Sequence, residues 1–194
     1  MKLGGSSMPI VVLAAGWLLL SARAADASAV EKFNGHLSVG YAKLLIGAAP
    51  AGSFSAAGGV DYSMNRDLRV GLGVGYHLLG SRTVPRGSFV AGVDYSMFEA
   101  VLFAHWLPQH LGPVGRISAG PALLSARAEL STSGGSLAFT DLAVEKMAPG
   151  AALDVTLISR SSAPVRVGLE LGSRVAFMEP ENWSLVSARL AFHY

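Results

Sequence analysis

The sequence predicts an all-β chain that closes into an eight-stranded antiparallel up-and-down transmembrane β-barrel. Three observations carry this. From Phe33 almost to Tyr194, apolar and polar residues alternate at every second position. That period sends two sets of side chains to opposite faces of a strand. The polar set is mostly Gly, Ala and Ser with a few spaced charges, whereas the wet face of a soluble sheet carries many Lys and Glu. Clusters of turn residues punctuate the alternation, and no segment of helical period longer than a turn or two competes with it.

The bulk numbers agree. The 194 residues make about one domain, with 51% hydrophobic and only 14% charged residues, against about 25% charged in an ordinary soluble domain. There is no Cys, which excludes a disulfide framework, a thiolate nucleophile, a Cys-ligated zinc site and a lipidated N-terminal Cys. Lys2, the apolar run "MPIVVLAAGWLLL" from Met8 to Leu20 and "SARA" from Ser21 to Ala24 form a secretory signal pattern cleaved after residue 24. The apolar run is short for a spanning helix, which takes about 20 residues. Residues 25–32 read as a polar leader and residues 33–194 as the barrel. Without Lys2 and Arg23, the remaining 13 Lys and Arg balance the 13 Asp and Glu. No basic run with interleaved aromatics remains, so no nucleic-acid partner is expected.

The strands follow in order. "HLSVGYA" sets Leu37, Val39 and Tyr41 against His36, Ser38 and Gly40. "GVDYSM" at Gly59 to Met64 sets Val60, Tyr62 and Met64 against Asp61 and Ser63, and the turn cluster "NRD" follows. "LRVGLGVGYHL" puts Leu68, Val70, Leu72, Val74, Tyr76 and Leu78 opposite Arg69, Gly71, Gly73, Gly75 and His77. "GVDYSM" recurs at Gly92 to Met97. Counting Ser88–Met97 and Ala100–Leu107 separately gives nine strands, but bacterial single-chain barrels have even numbers. One strand from Ser88 to Leu107 gives eight. Its outward set Phe89, Ala91, Val93, Tyr95, Met97 then slips to Phe98, Ala100, Leu102, Ala104, Trp106, as across a β-bulge. The two hexapeptides are therefore expected to share a face pattern but not a position in the topology. "VGRISAGPAL", "GAALDVTL", "VRVGLELG" and "VSARLAFHY" supply the last four strands. Outer loops fall near Leu45–Ser53, Gly80–Arg86, Glu129–Asp141 and Met178–Asn182, all short, the third being the longest and rich in Ser, Thr and Gly.

Small residues and charges of both signs suit a narrow interior, because an eight-stranded barrel leaves room only for side chains. The expected lumen network is Asp61, Glu99, Asp154 and Glu170 with Arg69, Arg116, Arg166, Arg174 and Arg189. Unpaired charges there would be costly, so the network is expected to be paired and structural, and to plug the lumen. The apolar face then meets lipid. Tyr62, Trp106, Phe192 and Tyr194 form one aromatic girdle, and Tyr41, Tyr76, Phe89, Tyr95, Phe177 and Trp183 the other.

The ending "LVSARLAFHY", with Leu190, Phe192 and Tyr194 at alternate places, resembles the C-terminal assembly signal of Gram-negative outer-membrane barrels. "GVDYSMNRDLRVGLGVGY" and "GPVGRISAGPAL" look like the small outer-membrane β-barrel superfamily that includes OmpX, OmpW and the OmpA membrane domain. The resemblance covers Phe33 to Tyr194 and indicates the class rather than one member. It implies a place in the outer membrane of a Gram-negative cell. It also implies partners in outer-membrane lipid and lipopolysaccharide, and in the barrel-assembly machinery through the last strand.

Three roles follow, in order of fit. The first is envelope structure or surface interaction without catalysis. The second is a narrow OmpW-like channel for small solutes. The third, remote, is lipid A modification, since some barrels of this kind carry a His-x-Ser pair toward lipid. The pair His36 and Ser38 has that spacing but falls on the lumen face, without a third orienting group. "GLGVGY" lies on a strand with no helix after it and is no dinucleotide loop. The histidines lack metal-ligand spacing, and no cofactor is expected.

Overall fold

The computed structural model describes residues 32–45, 52–86, 89–133, 142–158, 165–179 and 182–194. The expected signal peptide and nearly all of the leader lie outside them. Every element among the described residues is a strand. β1 (Phe33–Leu44), β2 (Ser53–Ser63), β3 (Leu68–Arg86), β4 (Phe89–Trp106), β5 (Val114–Ser133), β6 (Leu142–Ile158), β7 (Arg166–Ala176) and β8 (Trp183–His193) pair in sequence order. β8 returns to β1 and closes the barrel, and every pair is antiparallel. Closure satisfies the backbone from within, which hydrocarbon demands of any chain that crosses it. The strands β2, β7 and β8 have 11 residues each. At the usual rise and tilt they span about 28 Å, enough for an apolar band about 25 Å tall.

The two faces divide as the alternation requires. Leu72 is 62% exposed, while Gly71 and Gly73 beside it are buried. Leu37, Val60, Leu102, Leu153, Leu169, Leu171 and Leu190 are likewise exposed around the outside. Phe33 and Tyr62 meet edge to face at 5.3 Å at the basal end, where β1 begins and β8 ends. The turn from β2 to β3 is tied by Asn65, whose Oδ1 accepts from the N–H groups of Asp67 and Leu68 at 2.9 Å. Asn at that place favours such a local bond over a continued strand.

At the opposite, apical end the barrel is uneven. β3, β4, β5 and β6 have 19, 18, 20 and 17 residues, so four neighbouring strands rise beyond the rim set by the others. Gly80–Arg86 and Glu129–Ser133, expected as loop, belong to this sheet. Pairing of β2 with β3 stops at Ser55↔His77, and pairing of β6 with β7 begins at Gly150↔Ala176. The outer edges of β3 and β6 above those points pair with no described strand.

The expected bulge within β4 is not there. The register shifts on β3, where Leu79 is the extra residue between Leu78 and Gly80. β4 keeps one parity, so Met97 is 2% exposed and Tyr95 packs against the interior. The two copies of "GVDYSM" thus face opposite ways. Asp61 is buried and Tyr62 faces out, whereas Asp94 is exposed and Tyr95 turns in. Trp183 also packs inward rather than joining a girdle.

The interior has two halves, where the sequence suggested one polar lumen. The apical half is apolar, with Leu44, Leu79, Met97, Leu124 and Leu185 packed with small Ala side chains. The basal half holds the charges.

Candidate functional site

The charged part of the lumen, below the apolar core, is built by inward positions on all eight strands and reaches as high as Ser55, His77 and Arg174. β1 contributes His36 and Ser38, β2 Ser55 and Asp61, β3 His77, and β4 Glu99, Phe103 and His105. β5 adds Arg116 and Ser118, β6 Asp154 and Thr156, β7 Glu170 and Arg174, and β8 Arg189. None is more than 5% exposed. Strand parity alone places them there, because each is an even number of residues from its inward neighbours on the same strand.

Arg174 is the hub. Its Nε and Nη2 donate to the two oxygens of Glu99 at 2.5 and 3.0 Å. Nη1 and Nη2 donate to the two oxygens of Asp154 at 2.7 and 3.0 Å. A planar guanidinium with five donors can hold two carboxylates in this way, which Lys cannot. The ring of Phe103 lies 5.7 Å from the guanidinium carbon. Arg189 joins Asp154 at 3.4 Å to Glu170 at 2.9 Å. Arg116 then joins Glu170 at 2.9 Å to Asp61 at 3.4 Å. Ser38 also donates to Glu170, at 3.1 Å. The alternation of sign along this chain is what makes several buried charges tolerable.

Seven of the nine charged residues read from the sequence are brought together here: Asp61, Glu99, Arg116, Asp154, Glu170, Arg174 and Arg189. Arg69 and Arg166 are not. Arg69 is half-buried and Arg166 exposed, and both line an open hollow of about 220 Å³ at the basal mouth with Asn34, Gly35, Asp61, His193 and Tyr194. Of the residues read as an assembly signal, Leu190 and Tyr194 face outward and Phe192 is half-buried.

Two histidines extend the network. His105 Nε2 stands 2.9 Å from Asp61, and its Nδ1 is hydrogen-bonded to Ser118 Oγ at 2.7 Å. His77 Nε2 stands 3.4 Å from Glu99, and its Nδ1 is hydrogen-bonded to Ser55 Oγ at 2.9 Å. His105 was legible in principle, since it shares the parity of Glu99, but scattered histidines gave no reason to single it out.

The glycines of β3 make room for side chains of the neighbouring strands. A Cβ at Gly75 would lie 2.6 Å from Glu99 Oε1, one at Gly71 2.5 Å from Asp61 Oδ1, and one at Gly73 3.0 Å from the Phe103 ring. The "GLGVG" string is the complement of β2 and β4 side chains that reach across it.

The pair His36 and Ser38 points into this same interior, with His36 Nδ1 3.7 Å from Asp61. Acid, histidine and serine also line up at Asp61–His105–Ser118 and Glu99–His77–Ser55. Ser118 and Ser55 are fully buried. The free space at the centre is about 10 Å³, roughly what one water needs, so no substrate acyl group fits beside either hydroxyl.

The arrangement defines the class: an eight-stranded transmembrane β-barrel, apolar outside and charged within. No protein-family model matches the chain, and no curated protein matches it in sequence. Solved structures do. The neisserial surface protein A is similar with a TM-score of 0.60 at 15% identity, over 84% of this chain and 96% of that one. A major outer membrane protein of Thermus thermophilus follows at 0.54 and 12%, over 84% and 99%. Ail, the attachment invasion locus protein of Yersinia pestis, solved with the heparin analogue sucrose octasulfate, gives 0.51 and 10%, over 84% and 99%. The chain has the fold of the small outer-membrane barrels.

Proposed function

We propose that this chain is an integral outer-membrane protein of a Gram-negative envelope, non-enzymatic, with a plugged lumen and a role in envelope structure or surface interaction. The observation that carries the plug is the filled bore. A paired charge network in the basal half and an apolar core in the apical half leave about 10 Å³ at the centre. Solute passage would require bidentate pairs to part, and a low-dielectric interior opposes that. What supports surface interaction is the raised four-stranded sheet at the apical end. Unpaired strand edges are ready acceptors for a further strand, and both outer edges of this sheet pair with no described strand.

The test is conductance of the refolded barrel in planar bilayers, after unheated and boiled samples from isolated outer membranes have been compared on SDS gels. A faster unheated band with no unitary conductance above the bare bilayer supports the reading. Stable single-channel steps would replace it with the narrow channel, and recovery in the soluble fraction without a band shift would refute membrane insertion.

A further inference from the structure

We propose that the basal mouth is a binding site for a phosphate-class oxyanion, independent of the plugged lumen above it. Arg69 on β3 and Arg166 at the start of β7 stand four strands apart, across the bore, and line one hollow of about 220 Å³. Neither closes an ion pair with a described residue, although every fully buried arginine of the lumen does. His193 lines the same hollow, and its Nε2 has no hydrogen-bond partner among the described residues. Asn34 adds an amide, which already donates to Ser63 at 3.1 Å. The one acidic side chain in the described lining is Asp61. Its Oδ2 accepts from Arg116 at 3.4 Å, while Oδ1 stands 2.9 Å from His105 Nε2 without a hydrogen bond among the described residues. Asp61 offsets part of the charge on Arg69, but Arg116 and Arg166 also act on it, and an anion between Arg69 and Arg166 relieves their mutual repulsion and gains charge-assisted hydrogen bonds.

Size and direction narrow the ligand. The hollow far exceeds the roughly 10–15 Å³ that one enclosed water needs, and has room for a tetrahedral oxyanion with its hydration shell. Asn34, Asp61, Arg69, Arg166 and His193 stand on inward positions and Gly35 and Tyr194 on outward ones, so its charged lining faces the barrel axis rather than the lipid-facing surface. That geometry favours a soluble phosphate or phosphomonoester over a headgroup in the surrounding leaflet.

The experiment titrates inorganic phosphate into the full-length barrel folded in octyl glucoside, a detergent without phosphate or charge. Binding is read by calorimetry against sodium chloride of matched ionic strength. Saturable heat with phosphate alone is expected, weakened about tenfold or more in R69Q and again in R166Q, the scale of one charge-assisted hydrogen bond. Both variants should keep the unheated gel band of the parent, since neither residue is fully buried. A parallel titration adds phosphatidylglycerol to the micelles. Lipid binding that needs both arginines, without a response to free phosphate, would keep the phosphate chemistry and assign it to a headgroup. Equal responses to phosphate and chloride, or binding unchanged in the R69Q/R166Q double variant, would overturn the site. Conductance does not enter these readouts, so the plugged lumen can fail without the anion site failing.

Discussion

Replacing Arg174 with Met should be among the most damaging single changes in the barrel. The substitution removes four charge-assisted hydrogen bonds, two to Glu99 at 2.5 and 3.0 Å and two to Asp154 at 2.7 and 3.0 Å. Glu99 would keep only His77 at 3.4 Å and Arg189 at 4.0 Å. Asp154 would keep Arg189 at 3.4 Å. Both carboxylates are buried, so each must stay charged with poor compensation or take up a proton. Removing one partner of a buried pair costs about 3–5 kcal/mol, more than a hundredfold in the folded-to-unfolded ratio. The assay is urea unfolding in phosphatidylcholine vesicles, followed by tryptophan fluorescence and by the heat-dependent gel shift. A second variant isolates the cause. R174M/E99M removes the worse-stranded acid together with the cation, and should recover about 1–3 kcal/mol of the loss. A loss below about 1 kcal/mol for R174M, or a double variant no better than the single, would refute the reading of Arg174 as the hub of a compensated network.

Other changes probe other parts of the argument. Leu171 lies mid-strand on β7 and is 47% exposed, so L171R should cost about 2–4 kcal/mol in bilayers, the usual penalty for an arginine at the midplane; an effect within about 0.5 kcal/mol would place that face elsewhere than in lipid. A Cβ at Gly120 would fall 1.8 Å from the Leu102 carbonyl oxygen, where only backbone could yield. G120A should therefore lower stability by about 1–3 kcal/mol in the same urea assay, and an unchanged midpoint would contradict the packing. Truncating Phe192 to Ala should reduce the folded barrel recovered from cells more than the yield of refolding from urea, if the last strand is an assembly signal; equal losses in both would make its role one of packing alone.

Much of the fold was legible because the signal repeats. Eight segments alternate with the same period, and closure in hydrocarbon leaves few ways to arrange them. The strand count came out right even though the device behind it was misplaced. In β4, reading from "GVDYSM" suggested a slip after Met97, because the earlier copy turns its Val, Tyr and Met outward. Parity counted back from Glu99 gives the opposite answer, since a residue clamped by Arg174 must face in, and Met97 and Tyr95 follow it. Local sequence could not decide this. The identical hexapeptide sits within the membrane-spanning sheet in one place and in the raised apical sheet in the other, where Asp94 can face outward without meeting lipid. Arg69 and Arg166 were misassigned for a related reason. Parity says that they face inward but not how deep they lie, and depth decides whether an arginine needs a partner. The apolar apical core was missed because Ala and Gly on the inward face read as small lumen filler, without regard to the Leu and Met that pack with them.

The network also bears on how the barrel finds its register. Slipping one strand by one residue would turn its whole inward set toward lipid. For β6 that would carry Asp154 out of the interior and leave Arg174 and Arg189 short of a partner. For β7 it would expel both Glu170 and Arg174, and for β8 Arg189. An ionised side chain on the lipid face costs about 2–4 kcal/mol for Arg at mid-depth, and each stranded partner adds a buried unpaired charge. Each of the strands β2, β4, β5, β6, β7 and β8 places at least one charged member in the ion-pair chain, while β1 and β3 join through Ser38 and His77. A misregistered barrel is therefore destabilised twice, once at the slipped strand and once at its neighbours in the lumen. By this argument the charges contribute more to selecting one closed arrangement than to its net stability, which a well-packed apolar lumen could equal.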